Sequence, residues 1–524
     1  MRMIDVFRSR ILIAATFAAG ALSACWFAVE ARYGFSLWDE GFLWYGVRRV
    51  MAGEVPIRDF MSYDIGRYYL SAAMMALLGS DGLFALRVSL GIIQALAVGL
   101  ATYLVLKDRD DDTPLMFYAL LAAIIFTSWM VLQFRVTDSA AAITLIAALS
   151  FALQKPAPFR WFVAGLACGL VAMIGRNHGV YGVAGLVGAL LIAHPASNWR
   201  DAPRAVVAAW AGVLIGYLPN LVMLLLVPGL AKAFWADIAF VFRMGSTNLA
   251  LPVPWPWTAF GPGWPTLEVV RAFLLGTFFL ALPLFGVCSL VWMMLLRRSD
   301  SLAKESVFAA TALLALPYAH YAFSRADLAH LGIGIFPLLI GVLTLPRVAA
   351  FVRFVVAGIL TAASVFVTAP IHPAYVAALE RNWHEASIDG DTVTVSTEVA
   401  GEVALLNRLA QRYACHNETF LAAPVWPGAY ALLGRKAPVW EIYPLFNRDA
   451  AFQEAEISRI TAARPAFVVL NEEPVDGRLD LLYERTHPLI DQYIRDNFRI
   501  VAQEVAFSRL RLYVRDTAEQ GCAR

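Results

Sequence analysis

The chain has 524 residues, of which 60% are hydrophobic and 16% are charged, and its formal net charge is +2. A soluble globular chain is usually about 45–50% apolar and about 25% charged, so this composition excludes an ordinary soluble protein and predicts a polytopic membrane protein. The near-balanced charge gives no electrostatic reason to expect a nucleic-acid partner. The five cysteines show no metal-ligand spacing.

Apolar runs long enough to cross, or nearly cross, a bilayer follow one another along most of the chain. About 11 such runs satisfy the length rule of about 20 helical residues per crossing, which predicts a polytopic α-helical membrane protein. The run 138–153 is short, and the apolar stretch 66–80 is interpreted as an interfacial or partly embedded helix. The runs are 11–29, 83–106, 114–134, 138–153, 161–175, 179–193, 205–227, 269–296, 306–323, 331–346 and 349–369.

Lysines and arginines near the ends of these runs predict the orientation in the membrane. With the N-terminus in the cytoplasm, the inner connections carry most of the basic residues. The outer loop 30–82 holds five arginines, but the translocation of a long loop across the membrane depends less on its charge. The odd number of spans places the C-terminal residues on the same outer side as this loop. The inner basic residues are Arg2, Arg8, Arg10, Lys107, Arg109, Lys155, Arg160, Arg200, Arg204, Arg297, Arg298, Lys304, Arg347 and Arg353.

The composition changes near residue 370 and predicts two domains. Residues 1–369 form a transmembrane domain that includes the outer loop 30–82, and residues 370–524 form an α/β domain outside the cytoplasm. Helix is predicted over 396–414 and strand over 418–426, 465–473 and 508–516, with helix followed by strand over 487–505. Cys415 and Cys522 lie in this domain, and the sequence leaves open whether they form a disulfide.

Charged residues gather at the outer ends of the predicted spans. Asp39 and Glu40 follow the first span, and the turns "FRVTDS" (134–139), "GRNHG" (175–179) and "FSRADLAH" (323–330) face the same side. For any one turn, solvation or helix capping is the simpler explanation. Four such turns on one side favour a shared functional site, because ionisable groups at membrane depth are costly. The residues concerned are Asp39, Glu40, Arg135, Asp138, Arg176, His178, Arg325, Asp327 and His330.

This set of side chains suits one kind of chemistry. A carboxylate near the bilayer surface can act as general base on an acceptor hydroxyl or amine. Arginine and histidine can hold a phosphate, and arginine does so through two parallel hydrogen bonds. Together they suggest transfer of a group from a lipid phosphate.

Several ordered motifs resemble the GT-C membrane glycosyltransferases, most closely the branch of the lipid A aminoarabinose transferase and the protein O-mannosyltransferases. "WDEGFLWYGVRRVMAGEVP" (38–56) matches the acidic pair of the first outer loop, and residues 68–105 match an amphipathic helix, a glycine bend and an arginine, Arg87, that opens the second span. "RVTDSAAAITLIAALSFAL" (135–153) matches the second acid, and "AGLACGLVAMIGRNHGVYGV" (164–183) matches a glycine-rich fifth span. The likeness is good over about the first 200 residues and loose in the tail.

The resemblance implies a transfer of sugar, with inversion, from a polyprenyl phosphate to an acceptor outside the cytoplasm. The acceptor is a lipid, a glycan or a protein, and the location is the inner (plasma) membrane with the site facing the periplasm. Asp39 is then the base, or shares a metal with Asp138, and Glu40 assists. No cofactor follows with certainty, and a divalent Mg²⁺ or Mn²⁺ stays open. The donor phosphate is assigned to Arg135, Arg176, His178, Arg325 and His330.

One loop departs from the family pattern. The nearest relatives often place "KPP" before the amphipathic helix, where this chain has "SYDIGRYY" (62–69). That loop meets substrate in the relatives, so the identities of sugar and acceptor do not carry over. The residues of this chain assigned to the loop are Tyr63, Asp64, Arg67 and Tyr68.

Two other functions compete with the transferase. A flippase or transporter of a lipid-linked sugar would more often show repeated halves and charges near the middle of the spans, and the sequence has neither. A phosphoethanolamine-type or acyl transferase would need a cluster of metal ligands around a nucleophile. Release of free polyprenyl phosphate distinguishes the transferase from a transporter.

Overall fold

The computed structural model describes residues 2–109, 114–130, 133–194, 202–245, 248–260, 266–295, 303–501 and 509–515. Four residues named in the sequence analysis lie outside these ranges: Arg200, Arg297, Arg298 and Cys522.

The predicted spans coincide with helices. Over their described residues, ten of the runs coincide with one α-helix each, the run 114–134 also reaching the 3₁₀ helix Gln133–Arg135. The run 331–346 is divided between two short helices where Pro337 enters the first turn of the second. Seven described helices are long and apolar enough to cross a membrane, and the total of about 11 spans stays a prediction. The helices are Arg2–Glu30, Leu83–Leu106, Leu115–Trp129, Val136–Gln154, Pro158–Ile174, Arg176–Ala193, Ala202–Leu226, Thr266–Leu295, Ser306–Ser324, Leu328–Gly334, Phe336–Leu343 and Ala350–Thr368.

Contacts between residues divide the chain into two compact units. The membrane unit comprises Met1–Glu30 and Val88–Val376, and the loop–tail unit comprises Ala31–Arg87 and Ala377–Arg524. The outer loop therefore packs with the C-terminal residues. The domain boundary at 369/370 that the sequence suggests stays a prediction.

The membrane unit has a continuous apolar core that also buries polar side chains, some of them paired with one another. Leu145, Leu314 and Phe336 are fully buried there. The indole nitrogen of Trp129 donates to the Ser364 hydroxyl at 2.9 Å. Pairing of this kind is favourable because an unsatisfied polar group in an apolar interior costs on the order of 1–3 kcal/mol. An additional helix, Leu230–Met244, belongs to the same unit.

Two helices of the membrane unit touch through their backbones. Pro158–Ile174 presents Gly165 and Gly169, and Ala202–Leu226 presents Gly212 and Gly216. A Cβ at any of the four would overlap a backbone carbonyl oxygen of the other helix. Small residues four apart allow this close approach, which gains packing where lipid supplies no hydrophobic driving force.

The tail contributes a mixed sheet and a hairpin to the loop–tail unit. Strands β1 (Trp383–Ile388) and β2 (Asp391–Ser396) form an antiparallel hairpin. Strands β3 (Leu421–Ala423), β4 (Phe467–Asn471), β5 (Arg499–Val501) and β6 (Leu510–Val514) form a second sheet in the order β3-β4-β6-β5. Only β3 and β4 are parallel. The helices of this unit are Asp39–Met51, Ile65–Leu78, Thr397–Tyr413, Gly428–Leu432, Ala450–Ala463, Tyr483–Thr486 and Pro488–Asn497, and Pro373–Leu379 crosses the boundary between the units.

The strands and helices expected in the tail are present, and the α/β character predicted for it is confirmed. The helix Thr397–Tyr413 begins where the Ser396 hydroxyl accepts from the Val399 backbone N–H, and it buries Val403, Leu406 and Tyr413. Cys415, directly after this helix, is disulfide-bonded.

Backbone hydrogen bonds join the outer loop to the tail. Gly34 donates to the carbonyl of Thr394 at 2.8 Å, and Thr394 donates to the carbonyl of Arg32 at 2.8 Å. Further along, the Met61 N–H donates to the carbonyl of Trp440 at 2.8 Å, and the Trp440 indole donates to the carbonyl of Ile57 at 2.9 Å. The loop is thus fixed by the tail along much of its length.

A Gly169→Ala substitution tests the close helix pair. The added methyl meets backbone that cannot rotate away, so we expect a loss of about 1–3 kcal/mol, the usual cost of overpacking. The measurement is the apparent melting temperature of the purified protein in detergent. Gly358→Ala is the matched control, because it lies on a helix where a Cβ meets nothing within 4 Å. Equal melting temperatures for the two variants would contradict the close packing.

Glu402 gives the loop–tail unit a predictable pH dependence. Burial, followed by the charge of Glu398, raises the pKa of the Glu402 carboxyl from 4.5 to about 7. The folded protein therefore binds this proton more tightly than the unfolded chain. The contribution of Glu402 to the free energy of unfolding falls as the pH rises from about 4.5 through about 7. Glu402→Gln should flatten this part of a stability profile measured from pH 5 to pH 8. Glu454→Gln, an exposed control, should leave the slope unchanged, and equal slopes in all three proteins would refute the assignment.

Candidate active site

Asp39 and Glu40 open the helix Asp39–Met51 and differ in burial. The Asp39 backbone N–H donates to the Ser36 hydroxyl at 3.2 Å, which fixes the start of the helix. Carboxylates in a first helical turn are stabilised by the helix dipole. Asp39 is half-buried, whereas Glu40 is only 4% exposed. The adjacent acids therefore have different environments, and Asp39 is the one with access to solvent.

Glu40 forms a buried ion pair with Arg87. The Arg87 Nε donates to Glu40 Oε1 and Nη2 donates to Oε2, each at 2.7 Å. The same guanidinium donates to the carbonyls of Ala31 and Gly34, again at 2.7 Å. Bidentate pairing with extra hydrogen bonds is the geometry in which a buried charge pair recovers its desolvation cost.

The helix that carries Asp39 is seated on the tail. A Cβ at Gly41 would overlap the backbone of Gly428, whose N–H donates to the carbonyl of Leu37 at 2.8 Å. Further along the helix, the Tyr45 hydroxyl accepts from the backbone N–H of Ala437 at 3.0 Å, and burial raises the pKa of Tyr45 to about 12. The glycine of "WDEGF" is required for this contact.

Part of the predicted substrate loop lies against the same helix. The Tyr63 ring stands edge-on to Phe42 with centroids 4.9 Å apart, and the Arg67 guanidinium lies 4.8 Å from the Tyr63 ring. Tyr68 is fully buried, and its hydroxyl accepts from the Tyr63 N–H at 3.0 Å. Asp64 is the residue before the helix Ile65–Leu78. Tyr63 and Arg67 therefore line the neighbourhood of Phe42, while Tyr68 supports the loop from within.

In the membrane unit, Asp138 and His178 form a buried pair although they come from two different turns. His178 Nε2 lies 2.9 Å from Asp138 Oδ1, and His178 Nδ1 lies 2.9 Å from the hydroxyl of Tyr318. A neutral imidazole with its hydrogen on Nε2 donates to Asp138 and accepts from Tyr318. Arg135 Nη1 lies 3.9 Å from Asp138 Oδ2 and donates to the Tyr321 hydroxyl at 3.4 Å.

Tyr321 links this pair to the turn that carries His330. Its ring is stacked on His178 at 5.7 Å and on His330 at 5.9 Å between centroids. His330 Nδ1 lies 2.8 Å from Asp327 Oδ1, and His330 Nε2 lies 2.7 Å from the side-chain amide of Asn248. The three stacked rings connect residues that are far apart in sequence.

Asp327 organises the last of these turns. It accepts from the His330 backbone N–H at 2.8 Å, which caps the helix Leu328–Gly334, and from Arg325 Nε at 2.8 Å. Burial acts to raise the pKa of the Asp327 carboxyl, but the hydrogen bonds and charge of His330, with the bond from Arg325, outweigh it and the pKa is lowered. Asp327 is thus held as a carboxylate that orients Arg325 and His330.

Arg176 makes a different contact. Its Nη2 donates to Asp237 Oδ2 at 2.7 Å, and its guanidinium lies 5.2 Å from the ring of Phe234. Both partners belong to the helix Leu230–Met244. The described contacts of Arg176 therefore link the turn to this amphipathic helix.

The sequence interpretation gave no role to Tyr318, Tyr321, Asn248 or Asp237. The two tyrosines lie three residues apart in an apolar helix, where aromatic residues are normally assigned to the core. No local pattern distinguishes them. Among the residues that the structure describes, no group of three or more His, Cys, Asp and Glu side chains is placed to hold a metal ion.

A Glu40→Ala variant tests the buried pair. It leaves the Arg87 charge buried without its carboxylate, so we expect a loss of about 3–5 kcal/mol in unfolding free energy. Glu473→Ala removes a carboxylate from a surface pair with Arg509 and should cost about 0–1 kcal/mol. Denaturant unfolding of both variants in detergent gives the comparison. Equal losses of unfolding free energy would show that the Glu40–Arg87 pair stabilises the protein no more than an exposed ion pair does.

Comparison with known proteins gives the fold. No family model matches the sequence, and no curated protein matches it. Among solved structures, ArnT from Cupriavidus metallidurans bound to undecaprenyl phosphate is similar, with a TM-score of 0.53 and 13% identity over 95% of this chain and 97% of ArnT. The oligosaccharyltransferase AglB from Archaeoglobus fulgidus, in complex with an inhibitory peptide and a dolichol-phosphate, is similar with a TM-score of 0.50 and 12% identity over 93% of this chain and 72% of AglB. At such identities the likeness is one of fold, and the GT-C-like fold expected from the sequence is confirmed.

Proposed function

We propose that the protein is a glycosyltransferase of the inner membrane that moves a sugar from a polyprenyl-phosphate donor to a lipid, glycan or protein acceptor on the periplasmic side. The observation that carries the proposal is Asp39: a half-buried carboxylate at the first turn after the first span, fixed by the neighbouring Glu40–Arg87 pair. The fold supports it, because ArnT with this fold was solved with bound undecaprenyl phosphate.

Asp39 is the general base in this proposal. Its carboxylate takes the proton from an acceptor hydroxyl or amine while the acceptor atom bonds to the anomeric carbon of the sugar. The bond between that carbon and the phosphate oxygen breaks, and its electron pair leaves with the polyprenyl phosphate. The configuration at the anomeric carbon inverts. Glu40 contributes by positioning Asp39, since its own oxygens are engaged by Arg87.

The arginines of the membrane unit hold the departing phosphate in this proposal, with Arg135 and Arg325 as planar guanidinium donors. Both ring nitrogens of His178 and His330 are engaged by neighbouring side chains, so these two histidines contribute by positioning the groups around them. A pre-oriented guanidinium stabilises charge as it develops at little reorganisation cost. Arg176, in the turn 175–179, is also assigned to the donor phosphate, and Asp237 orients its guanidinium. Tyr63, Asp64, Arg67 and Tyr68 shape the approach of substrate.

A metal is not required by these assignments. Asp39 and Asp138 are the residues that would contribute to holding Mg²⁺ or Mn²⁺ if the reaction uses one, and the ion would then neutralise charge on the donor phosphate. The two aspartates belong to different units, so the assignment of a shared ion rests on the sequence resemblance.

Asp39→Asn tests the proposal. The amide keeps the size of the side chain but removes the base, so transfer should fall by about 10²-fold or more. The assay supplies a panel of undecaprenyl-phosphate hexoses and pentoses to the protein in nanodiscs and measures free undecaprenyl phosphate. Asp81→Asn is the matched control, a half-exposed aspartate paired with Arg48, and it should stay close to the wild-type rate.

Two outcomes would overturn the proposal. Near-normal release of undecaprenyl phosphate by Asp39→Asn, with an unchanged melting temperature, would show that Asp39 is not the catalytic base. Movement of a labelled lipid-linked sugar across a proteoliposome bilayer, with no release of free lipid phosphate, would identify a flippase or transporter instead.

A further inference from the structure

The membrane unit contains a cavity at the end of the helix bundle that the proposed chemistry does not use. Its volume is about 430 Å³, within the usual range of small-molecule sites. It lies where the helix Leu83–Leu106 ends and where the helix Ser306–Ser324 begins. Asp327 follows the other end of that second helix, about 28 Å away along its axis at 1.5 Å per residue.

Basic side chains converge on this cavity from three separate segments of the chain. They outnumber the two carboxylates that also line it, Asp108 and Glu305, by two. Burial raises the pKa of the Glu305 carboxyl, the nearby charge of Arg347 acting in the opposite direction. The cavity thus carries a net positive charge. The basic residues are Arg109, Lys304, Arg347 and Arg353.

Arg109 is fixed in the wall of the cavity. It is only 6% exposed, its Nε donates to the carbonyl of Val105 at 3.2 Å, and its Nη2 donates to the carbonyl of Leu343. The Tyr118 ring lies 5.1 Å from the guanidinium, and the Tyr118 hydroxyl donates to the same Leu343 carbonyl at 3.0 Å. A guanidinium anchored in this way keeps its charge at one place in an apolar surrounding.

Lys304 and Arg347 stand at the opening of the cavity. Lys304 is exposed, and Arg347 has 57% of its side chain exposed, with its Nε 4.0 Å from Glu305 and its guanidinium 5.6 Å from the Trp292 ring. The opening is therefore basic and wet. The floor is apolar and includes the buried side chains of Leu104, Val105, Val307 and Phe308.

We propose that this cavity binds the phosphate of an anionic lipid headgroup, at the membrane face opposite to the one that carries Asp327. A basic opening over an apolar floor matches a ligand whose phosphate is joined to hydrocarbon. Basic pockets between membrane helices on the cytoplasmic side bind such headgroups, and the positive-inside pattern assigns this end of the bundle to the cytoplasm. Planar guanidinium groups pair with phosphate oxygens through two hydrogen bonds.

The test measures lipid binding to the full-length purified protein in a neutral detergent, by native mass spectrometry. Phosphatidylglycerol is the anionic probe and phosphatidylcholine the zwitterionic one. The double variant K304Q/R347Q removes the two exposed cations of the opening. Each basic side chain near an anionic surface is worth about fivefold in affinity, so binding of phosphatidylglycerol should weaken by about 25-fold.

The matched control is K155Q/R204Q. It removes the same number of exposed basic side chains from the same predicted membrane face, outside the cavity, and its binding should stay within about twofold of the wild type. Because all four residues are exposed, both double variants should keep the wild-type melting temperature.

Three results would overturn the proposal. Equal binding of the two lipids would remove the charge selectivity, and an equal loss in both double variants would show a general effect of surface charge. Displacement of phosphatidylglycerol by inorganic phosphate at equal concentration would assign the cavity to a free phosphate compound instead of a lipid. Failure of inorganic phosphate to compete, together with the loss in K304Q/R347Q alone, is the result expected of a lipid site.

Discussion

The buried ion pair between Glu40 and Arg87 sets the geometry of the residues around Asp39. A charge removed from water must be compensated by a partner and by hydrogen bonds, or the fold that buries it is not stable. Here the Arg87 guanidinium donates to both carboxylate oxygens of Glu40 and to two backbone carbonyls. The start of the helix, the preceding loop residues Ala31 and Gly34, and the first turn of the second span are thereby fixed together. Asp39 takes its half-buried position from this arrangement.

The membrane unit applies the same constraint to a larger set of polar groups. Asp138, His178, Tyr318 and Tyr321 are buried, and each is paired within a network that runs through three stacked rings to His330. Such a network is costly when any member is missing, because the remaining groups are left unsatisfied in a medium of low dielectric constant. Its members must therefore be supplied together by segments that are distant in sequence. An interior built only for packing would need none of them.

Local sequence patterns predicted the helices and strands better than they predicted the contacts between them. The hairpin of β1 and β2 is not among the predicted strands, whereas the apolar runs and the strands of the second sheet follow from periodicity and length, which act over neighbouring residues. The association of residues 31–87 with the tail does not, because it depends on hydrogen bonds such as those between Gly34 and Thr394, more than 300 residues apart. The break at Ile335 was missed since the run 331–346 is uniformly apolar, and Pro337 is tolerated in a first helical turn. The prediction that charged turns gather on one face named most of the polar network, whereas the contact of Arg176 with Asp237 depends on a helix, Leu230–Met244, that was not predicted.

The disulfide at Cys415 couples the stability of the tail to the compartment in which it folds. Disulfides persist in oxidising surroundings and are rare where glutathione and thioredoxin keep thiols reduced. In a reducing solution the tail would lose this cross-link, which restricts its unfolded state. The tail would then open more readily and be cleaved by proteases sooner than the cross-linked form. The disulfide therefore makes the lifetime of the tail depend on the redox state of the solution around it.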